Sequence, residues 1–345
     1  MIEFFKRKTQ SKIMDPRNDF SANEIEVEFR RDPLTEESSR IAHIGLISPQ
    51  REDYSSWDQP DLKERCPFCP SNIEQATPRF PAEILPEGQL QKGEARVIAN
   101  IGPYDQVSAL TVMGKEHLMP LENMSFSYLK DAFAVSIDFS RAVLQNVEDL
   151  VYPMLAWNYM PPSGGGLLHP HQQIFVSEYP GNLHRRMMKE SEKFYQNWGR
   201  NFWQELCIKE EQENERFIGK KQQSCWLTSF APRGVLGEVL AVFPELSTVY
   251  DINDSVLDDL VTGLLELFKY FSYKNIGSFN LAMFTVPSGE REKYFSLHVR
   301  IIPRTFLNLQ TYPPDMNSMQ VALQEPFSVI SPEEQCKEIQ AYFNT

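Results

Sequence analysis

Residues 155–176 read LAWNYMPPSGGGLLHPHQQIFV, and residues 281–302 read LAMFTVPSGEREKYFSLHVRII. The second stretch can be laid on the first if its turn carries two extra residues. Leu155-Ala156 then matches Leu281-Ala282, and Pro162-Ser163-Gly164 matches Pro287-Ser288-Gly289. Beyond the turn His169 meets Ser296, His171 meets His298, and Gln173 meets Arg300. Each stretch follows an amphipathic segment of helical period. Phe126, Leu129, Phe133, Ile137 and Leu144 mark the first, with Asn123 or Ser125 as N-cap; Leu257, Leu260, Val261, Leu264, Phe268 and Phe271 mark the second, after Asn253 and Asp254. A repeated unit of helix, strand, Pro-Ser-Gly turn and strand is therefore expected. With further strands at IEVEF (25–29), RIAHIGLIS (40–48), ARVIAN (95–100) and SALTVM (108–113), the class is α+β. Two tandem repeats would build one continuous or paired antiparallel sheet with helices packed on it.

The 345 residues carry 34 Lys+Arg against 47 Asp+Glu, a formal net charge of −13. A surface of that sign repels a phosphate backbone, so nucleic acid is not an expected partner. The longest apolar window, VLDDLVTGLLELFKYF (256–271), is broken by charges, and no membrane span or signal peptide is expected. The five cysteines are too few and scattered for a disulfide framework, which suggests a reducing, cytoplasmic setting. Residues 1–23 read as a polar, loosely held arm, 24–190 as a first domain and 191–345 as a second.

Chemistry concentrates in HPHQQ. Residues two apart in a strand share a face, so His169, His171 and Gln173 would line one side, with Gln172, Ile174 and Val176 on the other. Two histidines bonded inside a sheet is the plain reading, but three such polar groups need partners. Gly164, Gly165 and Gly166 just before them would let backbone N–H groups approach an anion. Cys66 and Cys69, in CPFC, have the spacing of half a tetrahedral zinc site or of a redox pair. Two histidines could complete a zinc shell: His117 and one of the HPH pair, with His43 and His184 less well placed.

In order, RRDPLT (30–35), CPFCPSN (66–72), VIANIGPY (97–104), His117 before LENMS, and Asn158 ahead of HPHQQ resemble the galactose-1-phosphate uridylyltransferases, members of the histidine-triad superfamily. The resemblance spans roughly residues 24–345, with the second half as a degenerate histidine-triad-like repeat. It implies a structural zinc held by Cys66, Cys69, His117 and His169. It makes His171 the nucleophile toward the α-phosphorus of a nucleoside diphosphate sugar, giving a covalent nucleotidyl-histidine. Gln173 would bond a phosphoryl oxygen, and the glycine turn would supply N–H donors. Arg31, Asn100 and Asn158 match positions near the nucleotide or its phosphates. The acceptor would be a sugar 1-phosphate, or inorganic phosphate in a phosphorylase. A zinc-stabilised nucleotide-binding protein without turnover is the reading from another class, and a homodimer is what the family commonly forms.

Three departures stand out. Gly166 occupies the place, three residues before the first motif histidine, where uridylyltransferases usually carry a serine. Ser296-x-His298 replaces a His-x-His that helps hold a second metal in some members. The stretch MNSMQVALQEPF (316–327), which shapes the sugar pocket, lacks the residues expected for galactose.

Overall fold

A computed structural model describes residues 2–45 and 47–343. The chain begins with strands β1 (Lys6–Asp15), β2 (Ser21–Arg31) and β3 (Ser38–Ala42), then short helices α1 (Pro60–Arg65) and α2 (Ile73–Ala76). The first repeat follows: β4 (Leu90–Lys92), β5 (Ala95–Ala99), β6 (Val107–Val112), α3 (Phe126–Asn146), β7 (Tyr152–Tyr159) and β8 (His171–Ser177). Helices α4 (Asn182–Trp198) and α5 (Phe202–Glu213) lead to the second repeat. It comprises β9 (Phe217–Lys220), β10 (Cys225–Thr228), β11 (Val239–Phe243), α6 (Asp254–Tyr273), β12 (Ser278–Phe284) and β13 (Leu297–Arg304). The short α7 (Ser318–Val321) and β14 (Phe327–Ser328) precede α8 (Pro332–Phe343). No helix among the described residues is long and apolar enough to cross a membrane.

The sequence repeat is a structural one. Ten strands form one sheet in the order β4-β5-β6-β8-β7-β12-β13-β11-β10-β9, whose halves mirror each other about the β7–β12 seam. There Ala156 lies opposite Ala282, so the two residues equated by the alignment face each other across the seam. The register agrees on both sides. Leu155 pairs with Ile174 in the first half, and the aligned Leu281 pairs with Ile301 in the second. Val112 pairs with His171 as Val242 pairs with His298.

Both long helices begin where their side chains can satisfy orphan N–H groups. Ser125 rather than Asn123 caps α3, accepting from Tyr128 N, and Asn253 caps α6 through Val256 N. Their apolar stripes cover one face of the sheet. Trp157, fully buried, sits edge-on to Phe133, Phe268 and Phe279, tying both helices to the seam. On the opposite face α4 and α5 cover the second half through Met187, Phe202, Trp203 and Leu206 against Leu240 and Val242. The first half carries only a small cluster there, Cys66, Phe68 and Cys69 on Ile98, Leu110 and Val112. That difference leaves the His171 side of the sheet open.

Three expectations change. Residues 6–15, read as a loose arm, form β1, paired with β2 along all ten residues. With β3 and β14 they make a separate four-stranded sheet. Its anchor is buried: Arg30 bonds Glu28 and Glu333, Arg216 bonds Glu210 and Glu333, and Phe230 stacks under both guanidinium groups. The polar composition of β1 fits a strand that is almost wholly exposed along its length. The boundary placed at residue 190 falls inside α4, because that helix packs as one piece on the second half. Of RIAHIGLIS only Arg40–Ala42 are strand; Gly45 turns with φ 61°, and Leu46 lies outside the described residues.

Gly263 shows how closely α6 lies on the sheet. A β-carbon there would overlap the Trp226 indole. Alanine should gain about 1 kcal/mol of helix propensity and lose about 1–3 kcal/mol to overpacking. Gly263→Ala is therefore expected to lower the denaturant midpoint; a raised midpoint would refute this packing.

Candidate active site and metal centre

The open face of the first half can be read from the register. Strand β8 alternates half-buried His171, Gln173 and Phe175 with fully buried Gln172, Ile174 and Val176. The inner row is held from behind. The Gln172 side-chain oxygen accepts from Ser136 Oγ on α3 at 2.8 Å, and Ser136 also bonds Thr111 on β6. This support under β8 was not singled out from sequence; a glutamine and a serine in apolar rows were its only signal.

His169 lies just before the strand and is fully buried. Its Nδ1 stands 3.8 Å from Cys66 Sγ and 3.8 Å from Cys69 Sγ, and His117 Nδ1 stands 3.5 Å from Cys69 Sγ. All four ligand atoms lie within 4.8 Å of one another. Around a tetrahedral zinc, with bonds of about 2.3 Å to sulfur and 2.0–2.1 Å to nitrogen, such atoms sit roughly 3.4–3.8 Å apart. The donor set fits a metal ion. His169 Nε2 bonds the Gly114 carbonyl at 2.8 Å, which places the ring proton there and leaves Nδ1 as a ligand. Burial pushes His169 down to about 4, against the opposing pull of that carbonyl, and lowers His117 as well. Both rings are thus neutral, as ligation requires. Burial, then the neighbouring Cys66, pushes the Cys69 thiol up to about 12, a cost that a bound cation would reverse. His43 stands apart, 3.8 Å from Glu28, and His184 lies among Tyr152, Phe284 and Phe295.

His171 has a different environment. Its Nδ1–H donates to the His169 carbonyl at 2.9 Å, so Nε2 is the unprotonated nitrogen. Burial lowers its pKa, which favours the neutral ring. Phe68, between the two cysteines, touches both rings, at 6.0 Å from His169 and 5.4 Å from His171. The cysteine–histidine cluster and the His171 imidazole are therefore one packed unit.

Asn158 and Asn100 reach the same face. Trp157 pairs with Gln172, so the register continued by one residue sets Asn158 beside His171. Asn100 closes the β5–β6 turn, its Nδ2 on Ser108 Oγ and its Oδ1 accepting from Gly102 N. Beyond it Tyr104 lies 6.1 Å from Phe175, an aromatic pair not singled out from sequence.

The glycine turn is less available than its composition suggests. The Gly164 N–H donates to Pro161 O and the Gly165 N–H to Met160 O, so both are spent inside the turn. Gly164 sits at φ 87°, and a β-carbon on Gly165 would crowd the Met160 and Asn158 carbonyls at 3.0 and 3.1 Å. These two glycines serve the turn geometry, and of the three only Gly166 keeps an uncommitted N–H. Arg31 lies on β2, over the Phe5 ring at 4.8 Å and 3.8 Å from Glu36. Neither contact belongs to the HPH segment.

The second repeat preserves the bond and loses the access. His298 Nδ1 bonds the Ser296 carbonyl at 2.9 Å, as His171 does His169. Its ring is fully buried, stacked 3.8 Å from Trp203 and 5.0 Å from Phe284, and its Nε2 has no partner. Ser296 bonds Pro244 O and Asn201.

Beside the seam strand β12, on the same side of the sheet as His171, lies a cavity of about 430 Å³ lined by Arg186, Arg233, Asn280, Arg304, Asp315 and Gln320, among others. Asp32 and Glu37 also line it, so three arginines face three acids. Glu37 accepts from both Arg186 and Arg233.

The sheet and its paired repeats define a uridylyltransferase-like fold. A galT-like protein from Arabidopsis thaliana superposes with a TM-score of 0.68 at 15% identity, covering 91% of this chain and 98% of that one. An ADP-glucose phosphorylase from the same plant, with bound ADP-glucose, gives 0.69 at 15% identity with the same coverage. A uridylyltransferase gives 0.66 at 18%, covering 92% and 98%. No family model matches the sequence. An uncharacterised protein of Archaeoglobus fulgidus is 31% identical over 280 residues, 81% of each chain. This chain belongs to one family with that archaeal protein, and it shares its fold with the galT-like and uridylyltransferase structures.

The cluster makes a stoichiometric statement. Elemental analysis of purified protein should find one divalent metal ion per chain, and Cys69→Ser should lose it and lower the thermal midpoint. Metal-free protein of unchanged stability would count against the site.

Proposed function

We propose that this chain is a nucleotidyltransferase that takes a nucleotidyl group from a nucleoside diphosphate sugar onto His171. The single observation that supports it most is the His171 ring. Its Nδ1 proton is committed to the His169 carbonyl, and its Nε2 is left to the open face. In the first step the Nε2 lone pair attacks the α-phosphorus, and the bond to the bridging oxygen breaks. Sugar 1-phosphate leaves with that electron pair. In the second step a phosphate oxygen of the acceptor attacks the same phosphorus, and the N–P bond returns its electrons to Nε2.

Other residues take roles that follow from their chemistry. Cys66, Cys69, His117 and His169 would hold a closed zinc site, whose part is structural: it fixes the His169 carbonyl that orients His171. Gln173, two residues along the same strand face, and the Gly166 N–H can donate to charge growing on the phosphoryl oxygens. Asn100 and the Tyr104–Phe175 pair suit a nucleoside, one by hydrogen bonds and the other by apolar contact. Arg31, half-exposed on β2 next to the cavity-lining Asp32, keeps its guanidinium available for a phosphate.

The cavity suits the sugar. Adjacent strands are about 4.8 Å apart, so Asn280, two strands from His171, lies roughly 10 Å across the sheet. A sugar attached through a pyrophosphate would bridge such a gap. The near-neutral lining of arginines and acids matches hydroxyls, and Met316, Gln320 and Gln324 come from the stretch that departs from the galactose pattern. An acceptor sugar 1-phosphate would enter the same cavity. Inorganic phosphate would instead make the enzyme a phosphorylase, the activity named for one protein of like fold.

Intact-mass analysis after incubation with UDP-glucose, ADP-glucose and their galactose counterparts should show a nucleotidyl adduct that is labile to acid and stable to base. His171→Ala should abolish the adduct and keep the thermal midpoint, whereas His169→Ala should lose stability. The absence of an adduct with every nucleotide sugar would remove the covalent mechanism. Release of the nucleotidyl group by sugar 1-phosphate or by phosphate then separates transferase from phosphorylase.

A further inference from the structure

Polar side chains of the second repeat converge on Asn158 in a chain whose polarity chemistry fixes. Arg304 donates through Nε to Asp315 Oδ1 at 2.8 Å and through Nη1 to Asn280 Oδ1 at 2.6 Å. A guanidinium has only donors, so the oxygen of the Asn280 amide must face it. The other end of Asn280 agrees independently. Its Nδ2 donates to the Ser163 carbonyl, which can only accept, at 2.9 Å. The same Nδ2 donates to Asn158 Oδ1 at 2.7 Å. The oxygen of Asn158 is thereby drawn toward β12, and its Nδ2 bonds no group among the described residues.

Arg304 and Asp315 are both buried, where such charge-assisted bonds are strong and an unpaired member is costly. A solvated asparagine turns either end of its amide toward a ligand. Here one end is committed before any ligand arrives, and the donors are left on the face that carries His171.

We infer that Asn280 is a positioning residue for the reaction at His171. Held by Arg304 and Asp315, it fixes the Asn158 amide with its N–H groups toward the transferring phosphoryl group. The inference rests on the nucleotidyl-transfer reading above and adds a cross-repeat contribution to it. The degenerate repeat thus supplies orientation to the site it no longer duplicates. A carbonyl oxygen presented to a phosphoryl group would repel it, whereas a preset donor needs no reorganisation as charge develops. Asn280, Arg304 and Asp315 also line the cavity proposed for the sugar, so the far end of the relay is a wall of that pocket.

Two measurements test it. In a double-mutant cycle on nucleotidyl transfer, Asn280→Ala should lower kcat roughly tenfold, one hydrogen bond's worth, with little change in KM. The loss should not add to that of Asn158→Ala, because Asn280 acts through Asn158. Additive losses, or a loss confined to KM, would overturn the role. The second measurement needs no substrate. Asn280→Asp keeps an acceptor for Arg304 but puts a second acceptor opposite Asn158, so the Asn158 amide should turn over. In ¹⁵N-labelled protein its side-chain NH₂ should then exchange with solvent more slowly, being bonded to the new carboxylate. Unchanged exchange would refute the relay. If wild-type protein transfers no nucleotide, the proposed function falls, and the exchange measurement still decides whether Asn280 sets the Asn158 amide.

Discussion

The antiparallel pairing of β7 with β12 is the constraint on which the rest depends. It joins two halves that each bring five strands, and it sets Ala156 against its own counterpart Ala282. An edge strand left open at that seam would expose a row of unpaired backbone groups. Each half closes the other, and Trp157, Phe268 and Phe279 seal the join from the helix side. On the other side the same pairing brings Asn158 and Asn280 within hydrogen-bond distance. A seam that is structural on one face is thus polar and available for chemistry on the other.

Symmetry of backbone has not meant symmetry of chemistry. His171 and His298 make the same local bond, Nδ1 to the carbonyl two residues back, at the same 2.9 Å. That bond follows from the strand geometry both repeats share. What separates the two rings is what lies above them. Over His171 the cover is Phe68 and the Cys66–Cys69 segment; over His298 it is Trp203, carried by a helix that has no counterpart in the first half. The Nε2 of His298 is fully desolvated and unpartnered among the described residues, while His171 keeps part of its surface exposed and burial lowers its pKa.

Local motifs in this chain are good guides to conformation and poorer guides to which groups remain free. Three successive glycines suggest three amides for an anion, yet two of those amides close the turn that Met160 enters at a positive φ of 67°. The competing partners of those amides lie within five residues in sequence, and only the folded turn shows that they win.

Residue order alone carries the repeat, the helices with their caps, and the two-residue alternation that sets His171 and Gln173 on one face. These depend on local period and on spacing, which a chain carries without reference to its fold. The CPFC spacing and two distant histidines were also legible as a possible shell. Folding brings the ligand atoms of Cys66, Cys69, His117 and His169 within 4.8 Å, lays α4 and α5 over one half while sparing the other, and makes β1 a strand. Those outcomes turn on long-range packing, in which each group takes the partner that the whole sheet brings near. The Asp315–Arg304–Asn280–Asn158 chain is of the same kind: no spacing announces it, because its four members meet only after the two repeats have paired.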